Sequence, residues 1–577
     1  MPSAPSSPLP EIPGATSAPL AFDAPDERRQ LATRILGEAL LLGVVGDALM
    51  RAPAPGANLT VWTVAVLVAL VTLARRRHDS IPLDARWLIA PTLAIAALFT
   101  WRASESLTVY NILAAIGTLA LLASAMQARP GQMILESRLR DVAARVLSVG
   151  VGALLGMPRL VVVDVSLREA TSARGATRVV AGLRAALMAI PLLLIFGGLF
   201  ASADPVFARI LGDIFDIDGG VVASHVMLSG FFAWIVGGFL RTALLSGDRA
   251  RASLPFPDGA LGLTEVGVAL GSLVLLFAAF VGVQFRYFFG GDALVSQTAG
   301  LSYADYARKG FFELVTVSAL VLPVLLSTNA LLRRDSANAV RIYRVLASTL
   351  LVLLAVIMYS AIARMRLYQS AYGLSTDRFE ATVFMGWLAL VLGWFAFTVL
   401  RGRDKRFVGG VLVSAWGTLI ALNVANPADI VARGNIARSE RGKELDVWYL
   451  QSLGADAAPA LAEYLVRQPL SPPPGWTTPA PTDASTSGAS SRPAATTDSS
   501  LTTRSDYTAR CRAARSLLEN WGPTVTRDWR SWTVGAAAAR RAVTKNATAL
   551  RTLAGKEFAG TTYLRCAEPP PPTTPAG

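Results

Sequence analysis

The chain is short of the side chains that most often carry chemistry. Its 577 residues include two histidines, His78 and His225, and two cysteines, Cys511 and Cys566. Without unusual partners, two isolated histidines cannot supply a bis-histidine haem ligand set or a His-rich zinc site. No HExxH, CxxC, CxxCH, Walker phosphate loop or GxSxG elbow occurs. No cofactor and no metal are therefore expected. Charged residues are scarce too, at 16% against about a quarter in soluble domains. Residues 1–26 carry no basic segment ahead of an apolar one, so they read as a disordered Pro/Ala/Ser leader rather than a signal peptide.

What is abundant is apolar sequence: 53% hydrophobic residues and a mean hydropathy of +0.45. About eleven apolar stretches, each long enough to approach a bilayer core at 1.5 Å per residue, follow one another through the chain. They fall at residues 35–50, 59–74, 87–101, 107–126, 180–200, 221–240, 266–285, 311–332, 345–363, 379–400 and 408–424. The expected fold is all-α: a polytopic integral membrane protein with a small helical extracytoplasmic module at its C-terminal end.

The formal charge of +14 does not point to nucleic acid, because much of it lies in clusters between the apolar stretches. Arg28, Arg29 and Arg34 precede the first stretch, and Arg75, Arg76, Arg77 and Arg86 lie between the second and third. Later clusters at 129–145, 168–184, 241–251, 333–344 and 401–406 fall on the same side if the N-terminus is cytoplasmic. An odd number of spans then places the C-terminus outside, in what is expected to be a bacterial inner membrane. One further apolar run, 146–165, contains Pro158, Arg159 and Asp164. Counting it as a span would invert every later loop, so it is read as a cytoplasmic interfacial or re-entrant element within a basic region, 127–179.

Beyond residue 424 the composition changes. Residues 425–470 read as a helical extracytoplasmic segment, 471–505 as a Pro/Ser/Thr-rich linker, 506–566 as a small helical module and 567–577 as a Pro-rich tail. Cys511 and Cys566 bracket that module on the side where disulfides persist, so a bond between them is expected. Closing so long a loop would stabilise the module by about 4 kcal/mol.

Ionisable residues at the outer helix ends are the candidate site residues. Asp47 lies near the outer end of the first span. Glu38 is nine residues away, roughly 900° of helical rotation, so the two cannot form one carboxylate pair. Glu38 is simply explained by an ion pair with Arg34. In the run YADYARKGFFEL, Tyr303 to Leu314, Asp305, Lys309 and Glu313 recur every four residues with Arg308 beside them, and Glu313 is carried about one turn into the apolar span. Arg366, Tyr368 and Arg378 join the ninth span to the tenth. At a shared depth these groups form a polar outer layer, equally compatible with membrane anchoring and with binding an anionic lipid, a lipid-linked glycan or an envelope protein. Gly267 and Gly271 form a GxxxG within the seventh span, a general close-packing pattern.

Four segments carry a resemblance. YADYARKGFFEL, ASADPVF at 201–207, RLYQSAYGLSTDRFEA at 366–381 and ELDVWYLQSLGADAAPAL at 444–461 together resemble a family of bacterial polytopic membrane proteins of unknown function. The resemblance implies a multi-pass fold over the second transmembrane half and the start of the C-terminal region, and brings no catalytic residues with it. Three function classes stay open: a transporter or lipid-handling permease, a non-transporting envelope assembly or sensor protein, and an enzyme acting on a lipid-linked substrate.

Overall fold

A computed structural model describes residues 25–77, 81–127, 136–165, 196–200, 202–207, 209, 219–246, 260–289, 311–334, 336–467 and 498–554. Among these the chain is helical, with no strand and a lone bridge between Leu261 and Leu332. Eleven long helices come first: α1 Pro25–Met50, α2 Ala57–Arg77, α3 Leu83–Leu98, α4 Glu105–Met126, α5 Leu139–Arg159, α6 Gly219–Leu245, α7 Leu263–Phe289, α8 Phe311–Leu331, α9 Ala337–Tyr372, α10 Thr376–Thr398 and α11 Phe407–Ala425. Nine stretches among the described residues are long and apolar enough to cross a membrane, and the protein is an all-α polytopic membrane protein. Ten of the eleven expected spans fall on α1–α4 and α6–α11. The expected fifth, 180–200, lies outside the described residues up to residue 195.

Small residues decide the closest approaches in the bundle. α1 and α6 run antiparallel, and a Cβ added to Gly43 would lie 2.5 Å from the Ser229 carbonyl. A Cβ on Gly238 would lie 2.2 Å from the Ala153 carbonyl, so α5 and α6 touch backbone to backbone. Gly267 and Gly271, by contrast, face open space: a GxxxG spacing permits close packing without requiring it.

Two apolar cores fill the membrane part. One joins α1, α2, α4, α5 and α6 around Ile35, Leu70, Leu122, Leu160 and Leu240. The other joins α7–α10 around Leu270, Leu325, Leu354 and Phe395. α4 and α11 lie antiparallel between them, held by reciprocal amide hydrogen bonds of the buried pair Asn111 and Asn423 (3.1 and 3.2 Å). Near mid-depth the Trp416 indole donates to Thr118 Oγ1 at 3.2 Å.

α5 continues into a π-helical turn, Leu160–Asp164, and together they reach 26 residues. Both ends meet the same, arginine-rich end of the bundle. Arg138, just before α5, pairs with Asp404 (3.3 Å) ahead of α11. At the far end the buried Asp164 carboxylate accepts from Arg28 at the start of α1 (2.6 Å) and from Arg241 near the end of α6 (2.5 Å). In between, Val142 and Val149 pack in one core with the last turns of α4. This is the segment whose sequence gave an interfacial or re-entrant reading.

The opposite end of the bundle carries the C-terminal module. Asn426, in the left-handed conformation (φ 57°), ends α11 and caps the next helix by accepting from the Asp429 amide, with Pro427 at its first position. The module comprises α12 Pro427–Ser439, α13 Val447–Ser452, α14 Ala458–Arg467, α15 Asp498–Trp521, α16 Val534–Lys545 and α17 Ala547–Leu553. Segments that the sequence separates with a linker share one core, in which Leu450, Leu461 and Leu465 pack against Ala513, Leu517, Ala539 and Leu550. α15 begins at Asp498, inside the 471–505 stretch read as linker. Cys511, in that core, is disulfide-bonded. Cys566, the one other cysteine in the chain, lies outside the described residues.

The module is fastened to three interhelical loops. Val534 and Gly535 amides donate to the Thr100 and Trp101 carbonyls (2.7 and 3.2 Å), and the Ala57 amide donates to Trp532 (3.1 Å). Tyr449 Oη accepts from the Thr376 amide (2.9 Å). Arg102 donates to the last carbonyls of α11, on Asn423 (2.6 Å) and Val424 (3.0 Å). Beside it the buried Asp456 accepts from the Ala103 amide (2.8 Å). Burial raises the Asp456 pKa above the ordinary aspartate value of 3.8, opposed by that amide and by the Arg102 charge.

Candidate functional site

Ser375 sets the start of α10 by accepting from the Arg378 amide (3.3 Å), which fixes the rotation of everything that follows. Asp377, Glu380, Ala381, Phe384 and Trp387 then recur at three- and four-residue steps and fall on one stripe. α4 presents a matching stripe from Tyr110 through Ala114, Gly117 and Thr118 to Leu121, and α11 a third from Val408 through Ala415 to Leu422. The three stripes line a groove of about 980 Å³, to which Phe311 and Phe312 of α8 and Leu139 and Val142 of α5 also contribute. That is at the upper end of the range for small-molecule sites, about 300–1,000 Å³.

The groove is apolar over most of its length. Trp387 Nε1 is satisfied by Ser414 Oγ (3.2 Å) and Trp416 Nε1 by Thr118, which leaves the indole faces to line the space. Val408 and Leu422 are fourteen residues apart on α11, about 21 Å at the helical rise. One leaflet of the hydrocarbon core is about 15 Å thick, so the groove is longer than one leaflet.

The carboxylates in the lining, Asp377 and Glu380, lie at the module-bearing end. Glu380 accepts from Ser106 Oγ on Oε1 (2.6 Å) and from Tyr110 Oη on Oε2 (2.9 Å). Asp377 lies one turn earlier, exposed at the rim. Among the described residues no cluster of three or more His, Cys, Asp or Glu that would hold a metal occurs.

The residues singled out from the sequence do not converge here. Asp47 is buried between α1 and α6, hydrogen-bonded to His225 Nδ1 and to Arg51 Nε (2.8 Å), and Arg51 reaches Ser224 (2.8 Å). Arg378 turns away from the groove, donating to the Gly373 carbonyl (2.7 Å) and lying over the Tyr368 ring at 4.1 Å. Arg366 and Glu313 are exposed. Phe311, Phe312 and Val315 line the groove on α8, where Glu313 does not. Asp305 and Arg308 lie outside the described residues. Sequence reasoning missed Glu380, although RLYQSAYGLSTDRFEA contains it. Its partners Ser106 and Tyr110 are 274 and 270 residues away, and nothing local announces them.

No curated protein and no solved structure matches the chain. The family described as Domain of unknown function (DUF4153) matches residues 89–464, from within α3 to within α14, which takes in every wall of the groove and leaves out α1, α2 and α15–α17. With that match over well more than half its length, the chain belongs to the DUF4153 family.

Proposed function

We propose that this protein handles membrane lipid, holding the acyl chain of an amphiphile in the groove between α4, α10 and α11 with the polar end beside Ser106, Tyr110 and Glu380. The observation that carries this reading is the groove itself: largely apolar, longer than one leaflet, and lined by carboxylates where it meets the module-bearing end. The orientation proposed with it is the one the arginine clusters favour, with the arginine-rich end in the bacterial cytoplasm and the module outside. A disulfide at Cys511 fits an oxidising compartment for the module.

Gly117 supplies the test. It lines the groove and a Cβ there meets nothing within 4 Å, so the indole of Gly117→Trp is directed into that space. Purified protein in lipid nanodiscs carrying a phospholipid with a diazirine on its acyl chain is irradiated and digested. Cross-links are expected in the peptides around Gly117–Leu121 and Ala415–Leu419, falling at least fivefold in Gly117→Trp. Labelling spread evenly over all lipid-facing helices, and unchanged by the substitution, would end this reading.

A second reading, a non-transporting envelope component, rests on the module. Trp448, Trp529 and Trp532 are half to three-quarters exposed, a surface suited to an envelope partner as well as to the headgroup layer. Two measurements separate the readings: quenching of their fluorescence in the wild-type protein by headgroup-level nitroxide lipids supports anchoring, and loss of a co-purifying protein when all three become Ser supports a partner.

A further inference from the structure

The mouth of the groove has a charge sign, and that sign restricts what it accepts. Among the described residues, two ionisable side chains line it, Asp377 and Glu380, and both are carboxylates. Among the described lining residues there is no Lys, Arg or His. The cation nearest in sequence, Arg378, is committed to the Gly373 carbonyl and the Tyr368 ring. Glu380 takes one hydrogen bond on each oxygen, from Ser106 and Tyr110, so each oxygen keeps accepting capacity. A phosphate placed there without a compensating cation meets two like charges. An ammonium meets two acceptors and brings three donors.

Resting on the lipid-groove reading above, we infer that the groove selects an amphiphile whose headgroup carries a protonated primary amine, with its N–H groups donating to Glu380 and Asp377. Primary amine, rather than positive charge alone, is what the geometry rewards. A quaternary ammonium has no N–H to give, and its methyl shell holds the charge away from the carboxylates. A single charge-assisted hydrogen bond discriminates by about tenfold, the equivalent of 1.4 kcal/mol.

The experiment uses the full chain released from detergent and read by native mass spectrometry. It is offered three lipids with identical dioleoyl chains: phosphatidylethanolamine, phosphatidylcholine and phosphatidylglycerol. Wild-type protein is expected to retain the ethanolamine lipid about tenfold better than the other two. Glu380→Gln and Asp377→Asn, each close to isosteric, are expected to reduce that preference to within twofold while still retaining lipid. Gly117→Trp is expected to lose all three. Equal retention of the three lipids by wild type, all lost in Gly117→Trp, overturns headgroup selection and leaves the groove reading standing. A preference for phosphatidylglycerol overturns it as well. Failure to retain any lipid removes the groove reading beneath it. A preference that survives both carboxylate substitutions assigns the selection to other residues and overturns the role given to Glu380 and Asp377.

Discussion

Asp164 is the residue whose loss the structure grades most clearly. Its side chain is 1% exposed and accepts three charge-assisted hydrogen bonds, from Arg28 Nε (3.2 Å), Arg28 Nη2 (2.6 Å) and Arg241 Nε (2.5 Å). Hydrogen bonds to charged groups contribute about 1.5–3 kcal/mol each, but the sum is not the expected loss. The Arg28 side chain is 38% exposed and recovers solvation when the carboxylate goes, so its bonds count for little. Arg241, at 12%, cannot, and is left beside a second cation with no anion. Removing one partner of a buried pair costs about 3–5 kcal/mol. With one arginine partly solvated, Asp164→Ala is expected near the lower bound, about 3 kcal/mol. Asp164→Asn keeps an acceptor and is expected to cost about half as much. Adding Arg241→Ala to Asp164→Ala should return about 1 kcal/mol by removing the stranded charge. Unfolding in mixed dodecyl sulfate micelles, followed by tryptophan fluorescence, measures all four proteins. An Asp164→Ala protein within 0.5 kcal/mol of wild type would refute this account.

Two further outcomes are expected. The reciprocal Asn111–Asn423 pair should give a coupling energy of about 1 kcal/mol in a double-mutant cycle of Asn→Leu changes in the same micelles, since interhelical hydrogen bonds average about 0.6 kcal/mol each. Coupling indistinguishable from zero would show that each amide finds other partners. Burial raises the Asp456 pKa above 3.8, so the folded state binds its proton more tightly than the unfolded chain. The resulting stabilisation is complete below 3.8 and fades as pH rises through the folded value. Limited proteolysis between the membrane bundle and the module should therefore be slower at pH 4 than at pH 7.5, and Asp456→Asn should flatten the difference.

Much of the fold was legible because lipid imposes one demand on sequence, about twenty apolar residues per crossing, and that demand is local. Ten expected spans coincide with helices for that reason, and the resemblance drawn from four segments agrees with the family match. The groove was not legible. A stripe such as Tyr110–Gly117–Leu121 has the same composition whether it faces lipid, a neighbouring helix or a cavity. Only the positions of α10 and α11 decide which. Asp47 stands out in the sequence as a carboxylate near a helix end, while its partner His225 is 178 residues away. The sequence contained both residues and no sign that they meet. The C-terminal module was divided at its linker, since composition marks where the chain is polar but not that α12–α14 and α15–α17 complete each other's core.

The helix pinned by Arg138 and Asp164 sets a problem of timing for the cell. Its 26 residues are apolar enough to be taken for a crossing as they leave the ribosome, when Arg28 has been made but Arg241 and Asp404 have not. Arg241 follows 77 residues after Asp164. Asp404 follows Arg138 by roughly 270 residues, about 13–50 s of synthesis at 5–20 residues per second. For that interval the Arg138–Asp404 ion pair cannot form, and part of what holds the segment is sequence not yet made. A truncation that stops short of Asp404 would therefore remove the Arg138–Asp404 ion pair and leave the Asp164 contacts with Arg28 and Arg241 in place.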